Sequence, residues 1–231
     1  MRCIDLIAAF ELEINKLDDS LNKPVTDDSL YWINQAIVKF VKDRFSGNPP
    51  KNLGYEQTEK RSTDLIKLFR SETFNQPLLV DVSQRNYNSY WYRYPDDIMF
   101  LLNEDVTITD NNDDYKLNTC VFECTADSFM YRINNSLTDF HYKYHRARPL
   151  RVKDERNLFR LLTDKNYKID SYSVGYIKIP TEVKNTNPYE EYTDFEDYTW
   201  LEITKIAAQM YIENQADPRY KTISNEVLTQ E

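Results

Sequence analysis

The sequence predicts an α+β fold, in which an N-terminal helical bundle layer precedes a central, largely antiparallel β region and a closing C-terminal helix. Three observations support this class. Apolar residues recur every three or four positions in the first 75 residues, short β-rich runs separated by turn residues follow, and a last helical pattern begins at Trp200. We expect one domain over 1–231, with a helical layer at 1–75, a β region containing a short helix at 76–181, and an acidic arm with the C-terminal helix at 182–231.

Three amphipathic helices are predicted in the helical layer. The first covers about 2–21, because its apolar residues lie alternately four and three positions apart, namely Cys3, Ile7, Phe10, Ile14, Leu17 and Leu21. Thr26 or Asp27 can cap the second helix, which ends before Gly47. The third is expected from about Tyr55 to Arg70. Short connections between the three predict a bundle.

The β region is predicted from short runs rich in β-branched and aliphatic residues. These runs are 78–82, 98–102, 105–109, 115–124, 158–164 and 171–180. The turn cluster 110–114 makes 115–124 the returning strand of a hairpin, and the last two runs are expected to form another strand pair. A short helix is predicted at 127–137, and a helix from Trp200 to Asn214 closes the chain.

The composition excludes several classes of function. Lys and Arg number 29 against 38 Asp and Glu, and the resulting net charge of -9 opposes tight binding to nucleic acid. Only three glycines occur, so the glycine-rich phosphate loops of common nucleotide-binding enzymes cannot be built. No apolar run approaches the roughly 20 residues of a membrane span, so no membrane partner is expected. An odd count of three cysteines disfavours a disulfide framework and indicates folding in a reducing cytoplasm.

The Cys and His residues suggest a zinc site that the spacing disfavours. Cys120, Cys124, His141 and His145 form C-x3-C-x16-H-x3-H, whereas zinc knuckles place two residues between the cysteines, and two cysteines on one face of a strand pack as small hydrophobes. The acidic turn 110–114 opens like a calcium loop but lacks its glycine and its closing acid. We therefore expect no metal, no cofactor and no catalytic residues, and no enzymatic activity, since two histidines and no hydrolase motif are a poor basis for catalysis.

A dense aromatic segment is the first candidate for a contact between subunits. Its aromatic residues are Tyr87, Tyr90, Trp91, Tyr92 and Tyr94. Tyr, Trp and Arg dominate the energetics of protein interfaces, so this composition favours a contact surface. The alternative interpretation, an aromatic cluster packed into the core beneath a loop, fits the same residues.

Two charged segments are the other candidates. The basic strip 141–153 interleaves aromatic residues with Arg146, Arg148 and Arg151, a composition also found on surfaces that bind single-stranded nucleic acid. The acidic arm 182–198 contains Glu190, Glu191 and Asp194. On a chain with net charge -9, the strip is better interpreted as complementary to the acidic arm of an identical neighbour.

Three stretches of the sequence resemble head-to-tail connector ring proteins of crAss-like bacteriophages and, more distantly, gatekeeper or adaptor proteins of short-tailed phages. These stretches are Arg2–Lys16, Lys39–Gly47 and Trp200–Asn214. The resemblance implies a structural virion protein that forms a closed, twelve-fold ring of identical subunits between the portal and adjacent tail or ring proteins. It also implies assembly in the bacterial host cytoplasm, DNA passing through the lumen without specific binding, and no catalytic residues.

Two other functions compete with the ring hypothesis. One is a nucleic-acid-binding or metal-stabilised accessory module that uses the basic strip and the Cys/His set. The other is a tail or capsid accessory protein that does not form a ring. A resemblance at the level of fold pattern is an association rather than a mechanism, so the site residues above come from composition.

Overall fold

The computed structural model describes residues 1–16, 24–46, 59–82, 86–111, 116–155 and 157–214. Its helices are α1 (Cys3–Asn15), α2 (Thr26–Ser46), α3 (Glu59–Leu65), α4 (Phe129–Asn134) and α5 (Asp197–Asn214). Its strands are β1 (Phe69–Phe74), β2 (Leu79–Asp81), β3 (Tyr87–Arg93), β4 (Ile98–Asp110), β5 (Lys116–Cys120), β6 (Phe122–Cys124), β7 (Leu150–Lys153), β8 (Leu158–Asp164) and β9 (Tyr167–Lys178). The predicted α+β class is confirmed.

The chain divides into two compact units. The helical unit combines Met1–Leu68 with the chain from Pro180 onward, and the sheet unit is Phe69–Ile179. Each has a hydrophobic interior of its own. Organisation of the whole chain as a single domain therefore stays a prediction.

The helical unit packs α1 and α2 against α5. The apolar stripe predicted for the first helix turns inward, with Phe10 and Ile14 buried, and the ring of Phe10 meets Tyr211 of α5 edge to face at 6.1 Å. The segment that precedes α5 is fastened to α2, because the side-chain amide of Asn34 donates to the Val183 carbonyl and accepts from the Val183 amide at 3.0 and 2.9 Å. Burial of amphipathic faces therefore stabilises this unit.

A buried arginine joins three helices of this unit. Arg44 of α2 donates through Nε to Asp64 of α3 at 2.9 Å and through Nη2 to Glu202 of α5 at 2.5 Å. Burial raises the pKa of Asp64 above its usual value even though the Arg44 cation opposes that shift. A buried charge needs such partners, so removing either carboxylate would leave Arg44 poorly compensated.

The sheet unit is built from two sheets that enclose an aromatic core. One sheet has the order β1-β9-β4-β5 and the other β2-β3-β8-β7-β6, with β6 and β7 parallel and the remaining neighbours antiparallel. Tyr92 of β3, Phe159 of β8 and Tyr172 of β9 meet in the core, at ring-centroid distances of 5.2 to 5.9 Å. The prediction of a largely antiparallel β region is confirmed.

The five-stranded sheet is also covered on its other face. Tyr87, Leu150 and Leu162 pack there with Ile133 of α4 and with Phe140. Both faces of β8 are therefore shielded from water, which explains why apolar residues occupy neighbouring positions, as in Leu158–Phe159 and Leu161–Leu162, instead of alternating with polar ones.

The chain crosses between the two sheets at two lateral edges. β1 ends one sheet and β2 ends the other, and only residues 75–78 separate them. β5 and β6 end the opposite side of the two sheets, with Val121 alone between them. The sheet unit therefore has a β1–β2 edge and a β5–β6 edge.

Two boundary predictions for the helical layer are wrong or lie outside the described residues. The third helix was expected to reach Arg70, but α3 ends at Leu65, a 3-10 turn follows at Ile66–Leu68, and β1 starts at Phe69. Phe69 and Arg70 pair with β9, and this long-range pairing outweighs their local helical pattern. Residues 17–21 of the first predicted helix and 55–58 of the third lie outside the described residues.

Several strand predictions also need correction. The runs 158–164 and 171–180 are strands but not partners, because β8 and β9 belong to different sheets. The runs 98–102 and 105–109 form the single strand β4, whereas 115–124 is divided between two sheets. The aromatic residues of β3 and the charged residues of β7 obscure the strand pattern, so the sequence predicts a contact segment and a basic strip at these two strands. Residues 112–114 of the predicted hairpin turn lie outside the described residues.

Candidate subunit-contact surfaces

The aromatic segment forms strand β3, and most of it faces inward. Tyr90, Tyr92 and Tyr94 belong to the core between the two sheets, and Tyr87 to the cluster on the opposite face. These four side chains pack within their own subunit, so the structure favours the core alternative and not the contact hypothesis for them. Trp91 is half-buried and lies 5.2 Å from the guanidinium of Arg160. It is the one member of the aromatic set that stays a contact candidate.

Arg151 of the basic strip is part of a buried polar network. It lies on β7, where Nη1 is 2.7 Å from Glu104 Oε2 and Nη2 is 2.7 Å from Glu123 Oε1. Nη1 also donates to the hydroxyl of Tyr94 at 2.6 Å, and Tyr172 donates to Glu104 Oε1 at 2.6 Å. Because Glu104 and Tyr172 come from one sheet and the others from its partner, the network joins the sheets. The basic-strip hypothesis requires an arginine that is free to contact a neighbouring subunit. Arg151 does not meet this requirement, because its guanidinium is paired within its own subunit.

The protonation of this network is determined by burial. Burial, together with the nearby Glu104 carboxylate, raises the pKa of the Tyr94 and Tyr172 hydroxyls well above the usual tyrosine range. Both hydroxyls consequently donate to Glu104 at neutral pH. Burial disfavours the charge on Arg151, but Glu104, Tyr94 and Glu123 outweigh it and raise the pKa of the guanidinium.

The exposed part of the basic strip is a tight turn. Lys143 and Arg146 form an isolated β-bridge, with backbone hydrogen bonds of 3.0 and 2.9 Å in the two directions. The residues between them, Tyr144 and His145, have φ of 52° and 57°, which is the pattern of a type I′ turn. Asn and Gly usually occupy these positions, so an aromatic residue and a histidine are strained there. The Tyr144 side chain is 94% exposed at the tip.

A cavity of about 630 Å³ lies beside this turn within the sheet unit. Leu117, Asn118 and Thr119 of β5 form part of its wall. Its lining includes Asp139, the cations Lys143, Arg146 and Arg148, and His141. Arg148 lies 4.0 Å from Asp139, and both side chains are largely exposed. Three cations against one carboxylate make the cavity suitable for an acidic segment.

The backbone of the acidic arm is hydrogen-bonded to the first residues of α1, and two of its carboxylates face solvent. The amides of Cys3 and Ile4 donate to the carbonyls of Glu190 and Pro188 at 3.3 and 3.1 Å. The Glu190 and Glu191 side chains are exposed. Asp194 differs, because it is buried and accepts the Thr181 amide at 2.7 Å. Glu190 and Glu191 are therefore available to a neighbour, whereas Asp194 shapes the arm.

The cysteines and histidines predicted to be unsuitable for zinc are dispersed. Cys120 is exposed on β5, whereas Cys124 is buried on β6 and lies 3.2 Å from the Ser128 hydroxyl, so the two are not on one strand as expected. The rings of His141 and His145 contact the Ile133 carbonyl and the Tyr142 hydroxyl at 3.0 and 3.2 Å. In the described ranges, no three His, Cys, Asp or Glu side chains are grouped so as to hold a metal ion. Independence from metal stays a prediction.

Sequence reasoning missed one surface, the exposed apolar edge at β2. Leu78, Leu79, Val80 and Val82 form an apolar run that predicts a strand correctly, but all four side chains are exposed. The run resembles a buried strand, and its position at the end of a sheet cannot be recognised from local pattern. Among the described helices, none is long and apolar enough to cross a bilayer.

Comparison with known proteins identifies the family. Residues 21–190, which are 170 of the 231 residues, match the family model described as Phage tail ring protein 3/4. The match includes the whole sheet unit and the exposed acidic residue Glu190, whereas α1 and α5 lie outside it. No curated protein matches the chain. Because the model covers well over half of the sequence, this chain belongs to the Phage tail ring protein 3/4 family.

Proposed function

We propose that this protein is a structural virion subunit of a closed ring in the phage head-to-tail connector, where it joins the portal to the tail. The observation that carries the proposal is the family match over residues 21–190. The partners are identical subunits, the portal protein and adjacent tail or ring proteins. Twelve copies per ring follow from the resemblance to connector rings, and assembly takes place in the host cytoplasm.

The ring surrounds the DNA channel without gripping DNA. A net charge of -9 supports this role, because a polyanion moving through a lumen is repelled by an acidic wall rather than retained by counterion release. The protein therefore acts as a passive conduit and a mechanical joint, with no catalytic step.

Opposite charges on neighbouring copies orient the subunits. Arg146 and Arg148 are exposed beside the basic cavity of the sheet unit, and Glu190 and Glu191 are exposed on the arm of the helical unit. In a closed ring each copy presents one surface to the preceding subunit and a different one to the next, so basic and acidic surfaces can alternate around the axis. Exposed ion pairs contribute little energy each, so we assign them to orientation and register.

Electron microscopy of the purified chain, alone and with its portal protein, tests the proposal. We expect closed rings of a single symmetry in class averages, with a native mass equal to a whole number of chains. The portal must be included because it can act as the template for assembly. A chain that stays monomeric in the presence of the portal contradicts the ring.

A nucleic-acid-binding accessory module is the second candidate function. The basic cavity favours it, because this cavity is lined by Lys143, Arg146 and Arg148 and lies next to the exposed Tyr144. Surfaces that bind single-stranded nucleic acid combine cations, which contact phosphates, with aromatic side chains, which stack on bases. A tail or capsid accessory protein that does not form a ring is distinguished from both by the same micrographs.

A further inference from the structure

The β1–β2 edge carries an apolar surface that is exposed among the described residues. Leu78, Leu79, Val80 and Val82 are 66%, 59%, 44% and 69% exposed. Contiguous apolar residues on a soluble protein commonly mark a contact with another macromolecule. The backbone of β2 also indicates a contact site. It pairs with β3 on one side and has no strand partner on the other within the described part of the chain.

The register of β2 determines where these side chains lie. Val80 is paired with Tyr90, whose ring belongs to the core between the sheets, and Leu79 is paired with Trp91 on the other face. Paired residues in a ladder have their side chains on the same side of the sheet. Val80, with Leu78 and Val82 two positions away, therefore continues the inner apolar surface to the open edge.

Beyond the short length of β2, this edge lacks the side chains with which proteins usually protect sheet ends. Exposed edge strands commonly carry lysines, internal prolines or bulges that prevent pairing with other chains. In β2 and its flanking residues Leu78 and Val82, one charged residue, Asp81, is present among four aliphatic ones. A surface of this kind is tolerated when assembly covers it.

From these observations we propose that a second copy of this chain covers the β2 edge, through the β5–β6 edge of the next subunit in the ring. This inference rests on the proposed ring. A closed ring requires a heterologous contact, so the β2 edge must meet a different element of its neighbour. The β5–β6 edge ends the opposite side of the sheets, and pairing the two edges continues the sheets from one copy to the next.

The β5–β6 edge offers backbone for this contact, because β5 and β6 each have a strand partner on one side only among the described residues. Its apolar side chains serve the subunit itself: Leu117 and Val121 pack against the core between the sheets, and the Arg132 guanidinium lies 3.9 Å from the Phe122 ring. A stable interface buries about 800 Å² on each partner, more than a three-residue strand supplies. The edge pairing is therefore one part of a larger contact between copies.

A charge placed on the edge tests whether the next copy covers it. We expect Val80→Lys to reduce ring formation at least tenfold in micrographs and by native mass, because the interface would bury an unpaired ammonium group. Met130→Lys is the matched control, since Met130 is 45% exposed, also in the sheet unit, but on α4. Thermal unfolding verifies that both variants fold. Normal rings with Val80→Lys overturn the inference and leave the proposed ring intact.

A cross-link tests which element covers the edge. Cys120 is exposed at the end of β5, whereas Cys3 and Cys124 are buried, so one introduced cysteine gives a specific intermolecular disulfide. Strands paired in a sheet bring Cα atoms within disulfide reach. β5 ends the sheet that β1 begins, so a sheet continued between copies sets Cys120 against β1 of the neighbour. We expect rings of Ser71→Cys or Glu72→Cys, both exposed on β1, to yield covalent oligomers on non-reducing gels. Adding Cys120→Ser should abolish the cross-link, and the control Met130→Cys should lack it.

The outcomes separate this inference from the proposed function. Rings that form normally but give no cross-link overturn the assignment of the β5–β6 edge. Rings that stay intact with Val80→Lys but no longer attach to the portal show that another protein covers the edge, which also overturns it. Absence of rings for the unmodified chain with the portal contradicts the proposed function itself.

Discussion

Arg151 and Glu104 form a buried ion pair, with 2.7 Å between Nη1 and Oε2, that connects the two sheets of the sheet unit. We expect Arg151→Met to lower the free energy of unfolding by about 3–5 kcal/mol, because Glu104 would be left buried without its cation. Combining it with Glu104→Leu should recover part of the loss, since two apolar groups leave no unpaired charge. Urea denaturation of the two single variants and the double variant measures the free energy of unfolding at each corner of this double-mutant cycle.

Glu123 is the control for this pair. Its carboxylate also contacts Arg151 at 2.7 Å, but its side chain is 74% exposed. Glu123→Ala should therefore change stability by less than about 1 kcal/mol. Equal losses for Glu123→Ala and Arg151→Met would mean that burial does not distinguish the two contacts.

The buried tyrosines predict sensitivity to alkaline conditions. Burial raises the pKa of Tyr92, Tyr94 and Tyr172 in the folded protein far above the value of about 10 in an unfolded chain. Because the folded pKa exceeds the unfolded one, this contribution to stability is complete below pH 10 or so and declines as the pH rises further. The melting temperature should fall through this range, with tyrosinate absorbance rising together with unfolding. Tyr144→Phe, at an exposed site, should leave the dependence of the melting temperature on pH unchanged.

The strained turn predicts a stabilising substitution. His145 has a φ of 57°, a conformation that glycine adopts without steric cost. We expect His145→Gly to raise the free energy of unfolding by about 1 kcal/mol. His145→Ala is the control, because alanine removes the imidazole but keeps the strain. Equal stability of the two variants would place the effect in the side chain instead of the backbone.

The charge contact between copies predicts a rescue experiment. Reversing Arg146 and Arg148 to glutamate should impair ring formation, and a further reversal of Glu190 and Glu191 to lysine should restore part of it. Arg151 is left unchanged because its reversal would disrupt the buried network. Reversing Lys168 and Lys184, both exposed, alters the net charge equally and should have less effect. Absence of any rescue would exclude direct pairing of strip and arm.

Binding to duplex DNA should be weak for the free subunit. The acidic excess opposes counterion release, so affinity should be lost by about 200 mM salt in a fluorescence titration. Retained binding with a steep salt dependence, removed by reversing Arg146 and Arg148, would instead support the nucleic-acid function of the basic cavity.

Local features of the chain were predictable wherever one helix or strand determines them. Helix α2 begins at Thr26, next to its predicted start, and its apolar residues Leu30, Ile33 and Ile37 turn inward because their spacing matches the helical repeat. The hairpin of β4 and β5 followed from a turn cluster between two β-rich runs. The candidate site was harder to predict. Arg146, Arg148, Glu190 and Glu191 are exposed as a contact requires, whereas Arg151, Asp194 and four tyrosines are buried.

The sequence by itself determined the α+β class, the acidic charge and the helices of the N-terminal layer, because composition and amphipathic period are local properties. Tertiary structure alone decided which strands beyond the β4–β5 hairpin share a sheet, that Tyr92 is core and Trp91 half-buried, and that Leu79 and Val80 lie at an open edge. The reason is physical. Burial and pairing depend on contacts between residues far apart in the chain, such as Arg151 with Glu104, and no local pattern encodes the partner of a strand outside a hairpin or the end of a sheet.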